Sequence, residues 1–473
     1  MERISVFDIF KIGIGPSSSH TMGPWKAANQ FVQELEDSRR LDEMVGLNVE
    51  LFGSLAKTSK GHGTDLAVIL GLQNYFPQNI PLEMVGLAFD RVIEECRINF
   101  GGRKWIPFYA EKDIIFHMDQ SLPFHSNGIT FRCFFEDETS YSATFYSIGG
   151  GFVVKEGERF EDEPVTQMPF PIDRGEDLQK WCNLTGMPVS GVVFENELSL
   201  RIEEEIRAKL YEIWEVMKAC IYESCHKEGE LPGGLKVQRR AKSLAGKLMQ
   251  GLPYGNVEEW IQNIKNGDHG FSNTLKWLSC FALAVNEENA AFGRIVTAPT
   301  NGAAGVIPAV LMYHLCFNDA ATENDVIRFL LTAGEFGSLF KKGATISAAM
   351  GGCQAEIGVS SAMAAGALTE LLGGTFEQAM MAAEIAMEHH LGMTCDPIGG
   401  LVQVPCIERN TMGAIKAVTA AQIAMESDPA KALVSLDAVI KTMKETALDM
   451  NTKYKETSDG GLALHIAVNL VEC

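Results

Sequence analysis

The sequence predicts an α+β protein in which an N-terminal α/β domain with a mixed sheet precedes an all-helical domain. Three observations predict it. Two-residue alternation of apolar and polar positions is confined to the first third of the chain, apolar positions three and four apart fill it beyond residue 189, and the stretch between has no steady period. At 473 residues the chain has room for two or three domains and can bury a substantial core without disulfides.

The elements follow in order. Pro24 to Met44 carries Trp25, Ala28, Phe31, Val32 and Leu35 at helical spacing. Val45, Leu47, Val49 and Leu51 then alternate with Gly46, Asn48 and Glu50 as a strand does, and a helix is predicted over Thr64–Leu72. Ile129, Phe131, Cys133 and Phe135 alternate with more polar residues, the acidic turn Glu136-Asp137-Glu138 follows, and a second alternating run covers Tyr141–Ile148, so the pair reads as a hairpin that Gly149-Gly150-Gly151 ends. Residues from about Val153 to Pro188 are rich in Pro, Gly and charge, which sets the domains at 1–155 and 189–473 with 156–188 as linker. Leu198, Ile202, Ile206, Leu210, Ile213, Met217 and Cys220 then mark one long amphipathic helix. Further helices are predicted at about 272–292, 304–317, 323–340, 353–372, 375–391, 410–425 and 435–450. Gly343–Gly374 is dense in Ala, Gly and Ser, which suits central helices that approach closely to build a site; plain tight packing accounts for the same composition.

The composition (46% hydrophobic, 21% charged, 9% aromatic) is that of an ordinary soluble globular protein. Forty Lys and Arg against 61 Asp and Glu leave a formal charge of −21, and a surface this acidic repels phosphate backbones. Nucleic acid is excluded as a partner, and a small substrate whose anionic group meets local donors is expected. Eleven cysteines, an odd number, are spread along the chain. The N-terminal stretch lacks the apolar core of a signal peptide because Asp8 interrupts it, so free thiols predict a reducing cytoplasm. The longest apolar stretches, Gly302–Phe317 and Ile357–Thr369, fall short of the roughly 18 residues a membrane span needs, so no membrane partner is expected.

Four groups of residues call for a chemical explanation. Cys353, Cys395 and Cys406 are spaced C-x41-C-x10-C, each beside Gly or Pro or close to one, where a thiolate can turn toward a shared centre. Thiolates are the usual ligands of iron–sulfur clusters, and a cluster with three protein ligands keeps one iron free. The spacing matches neither a ferredoxin run nor a zinc knuckle, and three buried cysteines acting as small apolar residues account for it equally. The second group is Gly13-Ile14-Gly15-Pro16-Ser17-Ser18-Ser19-His20-Thr21, directly before the first long helix. Its hydroxyls and N–H groups make a cradle for a carboxylate, more polar than an ordinary N-cap requires. In the third, Thr58-Ser59-Lys60-Gly61-His62-Gly63-Thr64-Asp65, a histidine stands between two glycines at a helix start. It reads either as a general base or as a solvated loop histidine. The fourth, Thr297 to Gly305, offers the Thr300 hydroxyl, the Asn301 amide and the Gly302 N–H to a ligand's polar atoms.

Together these segments resemble the iron–sulfur-dependent L-serine dehydratases (L-serine ammonia-lyases) in their single-chain form. The matching stretches are GIGPSSSHTMGPWKA, GSLAKTSKGHGTD, YSIGGGF, LAVNEENAAFGRIVTAPTNGAAG, GGCQAEIG, MEHHLGMTCDPIGGLVQVPCIERN and MNTKYKETSDGGLA, which together span nearly the whole chain. The resemblance implies an N-terminal domain similar to the allosteric substrate-binding domain of some phosphoglycerate dehydrogenases, and a helical catalytic domain holding a [4Fe–4S] cluster. It implies Cys353, Cys395 and Cys406 as the cluster ligands. Many members carry a cysteine where this chain has Ala304, so that position supplies no ligand here. The C-terminal Cys473, as in some members, is implied as a removable fourth ligand that substrate displaces; an idle thiol at a frayed terminus is the alternative.

The implied reaction removes the Cα proton and the β-hydroxyl of L-serine, the open iron acting as Lewis acid, and yields pyruvate and ammonia. His62 is the first candidate for the base and His20 the second, with Lys60 helping to hold the carboxylate. Ser17, Ser18, Ser19, Thr21, His125, Asn127, Ser147, Thr300, Asn301 and Gly302 are candidates for positioning substrate. Since the histidines lie in the first domain and the cysteines in the second, the site is expected where two domains or two subunits meet, and a homodimer is expected. Four rivals stand beside this reading. They are a pyridoxal-phosphate lyase, for which no Schiff-base lysine with a phosphate cup stands out; a serine-binding sensor with a structural cluster; a related lyase of the cysteine-desulfidase type; and a zinc site of the three cysteines with His389 or His390.

Overall fold

The computed structural model describes residues 3–158, 168–457 and 459–466, apart from the side chain of Lys60. Its strands are β1 (Ile12–Ile14), β2 (Met44–Phe52), β3 (Arg97–Phe100), β4 (Lys104–Pro107), β5 (Ile114–His117), β6 (Gly128–Phe135), β7 (Ser140–Ser147), β8 (Val153–Lys155) and β9 (Arg294–Val296). The sheet of the N-terminal part has five strands in the order β5-β2-β6-β7-β8 and is mixed. β2 runs parallel to β5, with Val49 opposite Ile114, and antiparallel to β6, with Leu47 opposite Cys133. The alternation in β2 sends Leu47, Val49 and Leu51 into the core, where the helix Gly23–Asp37 lays Ala28, Phe31, Val32 and Leu35. Phe31 stacks on Phe131 of β6 at 5.0 Å between ring centres. Burying an aromatic of this size contributes roughly 1.5–3 kcal/mol, so the stripe of the helix is what fixes it to the sheet.

Three local differences from the sequence reading have physical causes. The first long helix stops at Asp37 rather than Met44, because the polar run Ser38-Arg39-Arg40 leaves the stripe and a short 3₁₀ turn, Leu41–Glu43, leads into β2. The region read as a linker contains a helix, Gly175–Thr185, whose first N–H groups are satisfied from afar: Gly175 N and Glu176 N donate to the Asp437 carboxylate at 2.7 and 3.0 Å. No local signal announces a cap supplied from a distant helix. The helix expected at 353–372 starts at Ile357, since Gly352, at φ +71°, opens a separate 3₁₀ turn over Gly352–Ala355.

Among the described residues beyond 189 the regular elements of the chain are helices, apart from β9. The helix Ile357–Leu371 is its axis: Ile357 to Glu370 are all buried, and the helices Val306–Phe317, Asn324–Gly343, Phe376–Glu388 and Cys406–Met425 pack around it. Its small residues are what allow this. A Cβ on Gly366 would lie 2.3 Å from the Phe336 ring, so the composition of Gly343–Gly374 reflects close helix approach. Among the described residues no helix is long and apolar enough to cross a membrane.

Two connections position the site. Near its start the chain is tucked into the helical core through Val6, Ile9 and Phe10, with Ser5 Oγ donating to the Glu197 carboxylate at 2.8 Å. β1 then pairs antiparallel with β9, Ile12 opposite Val296 and Ile14 opposite Arg294, so the serine-rich turn leaves beside the loop that carries Thr300 to Gly302. At the far edge Gly149, Gly150 and Gly151 all have positive φ, a run of left-handed backbone that favours glycine, and it meets the helical part through Ser347 beside Gly149.

One buried acid gives the fold a pH signature. Burial pushes the Glu335 carboxyl up from 4.5 to about 7, with Lys342 opposing and Glu197 and Asp173 reinforcing the shift. The native protein therefore keeps a proton over a range where the unfolded chain has lost it, so this group lowers stability as pH rises from about 4.5 to 7, by up to about 3 kcal/mol. Glu335→Gln should gain thermal stability over the parent protein between pH 5 and pH 8. A difference in melting temperature that is flat across that range would contradict the assignment.

Candidate active site

A small cavity lies between the serine turn and the cysteine segments, lined by Pro16, Ser17, His62, Gly302, Glu356, Cys395, Pro397, Val402, Cys406 and Glu456. Six chain segments close it. The serine turn continues the strand β1 as a short π-helix, Ser18–Met22, that runs into the helix Gly23–Asp37. His20 is fully buried there, its Nδ1 at 2.9 Å from Ser19 Oγ and its Nε2 at 2.9 Å from Ser54 Oγ. His62 does not sit in an open loop: it ends the helix Gly53–His62, Gly63 at φ +59° breaks the chain there, and the ring is fully buried. Thr21 Oγ1 donates to the His62 carbonyl at 2.7 Å, and the two imidazole rings lie 4.6 Å apart. Among the described residues neither ring nitrogen of His62 makes a well-formed hydrogen bond, although the Thr58 backbone lies close enough to act on the ring. Burial lowers the His62 imidazole to about 4 and, with His62 beside it, holds His20 well below its ordinary value. Both rings are therefore neutral near pH 7, when an imidazole can accept a proton.

The opposite wall carries sulfur. Cys353 lies in the 3₁₀ turn after Gly352, Cys395 in a loop paired with Lys455, and Cys406 at the first position of the helix Cys406–Met425. All three are buried and unpaired. The sulfurs of Cys353 and Cys395 and a Glu356 carboxylate oxygen lie within 4.8 Å of one another. The Cys395 thiol, donating to Cys353, and the Arg409 guanidinium outweigh burial and bring Cys353 down to about 7. The same contact and burial push Cys395 up, and burial pushes Cys406 up. Burial and Cys353 raise Glu356 to about 8, and burial, with Glu356 and Cys353 beside it, holds Glu456 well above its ordinary value. Cys395, Cys406 and the two carboxyls around the cavity are thus kept largely protonated by burial and mutual repulsion, with the lowered Cys353 thiol beside them. A multiply charged metal centre would relieve both, and the donor set, rich in thiols, fits an iron–sulfur cluster. His389 and His390 do not join it: His389 Nδ1 turns to the Ile385 carbonyl and His390 Nδ1 to Ala386, back onto their own helix.

The remaining sequence-derived positions fall in three layers. Ser17 and Gly302 are on the cavity wall. Among the described residues Ser18 Oγ is buried without a partner, whereas the Thr300 hydroxyl acts on the Glu356 carboxyl and Ser19 is engaged with His20; Asn301 Nδ2 donates to the Ile14 carbonyl at 2.9 Å, its Oδ1 left unpartnered. His125, Asn127 and Ser147 lie one layer out: Asn127 N donates to His125 Nδ1, Asn127 Nδ2 donates to the Ser147 carbonyl, and Ser147 Oγ stands against Gly23. Lys60 falls in the helix Gly53–His62, its side chain outside the description, and Cys473 lies outside the described residues. Ala304 is buried in the helical core.

Two acids went unnoticed in the sequence. Glu456 sits 3.6 Å from His20 Nδ1, its carbonyl accepts from Ser54 Oγ at 3.1 Å, and its N–H donates to the Cys395 carbonyl at 3.0 Å, so one residue touches both walls. Glu356, the lone acid in the small-residue run from Gly343 to Thr369, was visible as an anomaly of composition. In a larger open groove elsewhere, lined by Glu228, Arg239, Lys242 and Lys247, Lys242 pairs with Glu228 at 2.9 Å and Arg239 with Glu288 at 2.7 Å.

Comparison with known proteins matches the two parts separately. The profile of the serine dehydratase alpha chain covers residues 184–463, and that of the serine dehydratase beta chain covers residues 5–158. The chain is 50% identical to an L-serine dehydratase of Streptomyces coelicolor, over 99% of this chain and 100% of the relative. It is 46% identical to an L-serine dehydratase of Haemophilus influenzae, over 98% of this chain and 100% of the relative. It is 45% identical to L-serine dehydratase 1 of Escherichia coli, over 98% of this chain and 99% of the relative.

The two walls touch at Gly61, where a Cβ would lie 2.6 Å from the carbonyl oxygen of Gly400. Gly61→Ala should force the histidine helix off the cysteine loop, cost roughly 1–3 kcal/mol, and lower the melting temperature by a few degrees. Gly246→Ala, also in a helix but with nothing within 4 Å of the new carbon, should not destabilise. Equal melting temperatures for the two variants would show that the walls do not meet at this contact.

Proposed function

The chain belongs to the serine dehydratase family, with the alpha- and beta-chain regions on one polypeptide, and on that premise we propose that it converts L-serine to pyruvate and ammonia using a [4Fe–4S] cluster. Cys353, Cys395 and Cys406 would hold the cluster. The observation that carries the reading is the pairing across one small cavity of a buried imidazole with two free nitrogens, His62, and a wall of buried thiols. When bound, a cluster with three protein ligands supplies Lewis acidity to the leaving hydroxyl.

The protein's own part is binding, orientation and proton transfer. The hydroxyls of Ser17 and Ser18 take the substrate carboxylate. Ser17 is on the wall and Ser18 Oγ is buried without a partner, and a ligand oxygen that satisfies such a hydroxyl removes a desolvation cost of about 1–3 kcal/mol. His62 takes the Cα proton on a ring nitrogen. The helix end that carries it is pinned through its carbonyl by Thr21, so the ring is held while its nitrogens stay open. His20, its nitrogens taken by Ser19 and Ser54, packs against His62 and positions it. Closure of the walls keeps water from the reacting atoms until aminoacrylate forms; its tautomer, an imine, then hydrolyses to pyruvate and ammonia. The reading includes a reducing, cytoplasmic setting, supported by the free cysteines throughout the described residues.

His62→Ala should retain the visible absorbance of the reconstituted cluster while turnover of L-serine falls roughly 10²–10⁴-fold, the usual share of a general base. Turnover near the parent level in that variant would remove His62 from the mechanism.

A further inference from the structure

Arg409 follows Cys406 by three residues, one helical turn, so both side chains leave the helix Cys406–Met425 on the same side. Its guanidinium, four-fifths buried, makes three contacts. Nη1 donates to the Cys353 sulfur at 3.2 Å and to the Thr394 carbonyl at 2.7 Å, and Nη2 donates to Asp396 Oδ1 at 2.9 Å. Thr394 and Asp396 flank Cys395. One side chain, carried on the Cys406 helix, therefore reaches all three cysteine segments. The chain of contacts continues: Asp396 Oδ2 accepts from Leu462 N at 2.8 Å, so the same acid seats the segment that also supplies Glu456 to the cavity.

We propose that Arg409 is a positioning residue for the cluster: it fixes the three cysteine segments relative to one another, and its N–H···S contact with Cys353 draws electron density from that ligand. The inference rests on the cluster assignment of the preceding subsection. The physical case is geometric. Three cysteines distant in sequence have no common backbone scaffold, and a planar fork with five donors can bridge a sulfur, a carbonyl and a carboxylate at once, which a lysine cannot. A cation and hydrogen-bond donor at a cluster sulfur favours the reduced, more negative state and so raises the reduction potential. Among the described residues Arg409 makes no hydrogen bond to the histidines or to the free hydroxyls of the substrate wall, so its role is in holding the centre.

The test compares the full-length parent protein, Arg409→Gln, Arg409→Lys and Asp396→Asn after anaerobic reconstitution with iron and sulfide. Bound iron and sulfide, reduction potential and the rate of bleaching in air are measured on each. Arg409→Gln should have a more negative potential and bleach roughly tenfold faster or more, the usual scale for loss of a group that orients a metal ligand. Arg409→Lys, which keeps the charge but not the fork, should stay nearer the parent potential yet bleach fast. Asp396→Asn should bleach at an intermediate rate with little change in potential, and it keeps the proposal testable if Arg409→Gln does not fold. Parent-like potential and bleaching in both Arg409→Gln and Asp396→Asn would overturn the inference while leaving the cluster in place. A parent protein that takes up no cluster would overturn the cluster assignment, and this inference with it.

Discussion

The structure depends on the cost of burying acids together. Two thiols and two carboxyls face one small cavity, with a third thiol, Cys353, beside Cys395 and the Arg409 guanidinium behind them. Left ionised, they would repel in a low-dielectric site; left protonated, they are polar groups shut away from water. Cores do not gather such a set for stability. Its presence in the middle of tightly packed helices is the mark of a site built to receive positive charge.

The rest of the architecture serves that gathering. Small residues along Ile357–Leu371 let the surrounding helices come close enough to bring Cys353, near one end of that helix, beside Cys406 at the start of another. The N-terminal sheet region closes the cavity from the other side and supplies the buried neutral imidazoles of the site, His20 and His62. The seam is held by a short relay. His20 contacts Ser54, Ser54 donates to the Glu456 carbonyl, and the Glu456 N–H reaches the Cys395 carbonyl. Base and ligands are thereby fixed in one frame even though some 290 residues separate His62 from Cys353. This division fits a family whose alpha- and beta-chain profiles match separate parts of the chain.

Much of this was legible in the sequence, and the reasons it stopped are physical. The strand alternation of β2, β6 and β7 and the helical stripes survive because periodicity is set by the backbone and by one buried face. The histidine and serine segments stood out because each placed polar residues where packing had no use for them. The contacts that organise the site left no such trace. Asp437 caps a helix more than 250 residues away, and Arg409 binds a sulfur 56 positions before it. Glu456 reads as one more charged residue in a polar C-terminal run until the fold buries it between His20 and Cys395. The burial of His62 overturned the picture of an open glycine loop, because Gly61 serves close approach to Gly400, and Gly63 serves the break between two helices.

The central claim is that the thiol wall holds an iron–sulfur centre on which turnover of L-serine depends. Titrating iron and sulfide into the metal-free protein under anaerobic conditions, and following bound metal and pyruvate together, tests it most directly. Pyruvate production should rise in proportion to bound iron and sulfide, taken up in equal amounts, and vanish when a chelator strips them. Full activity in protein free of both would contradict the account.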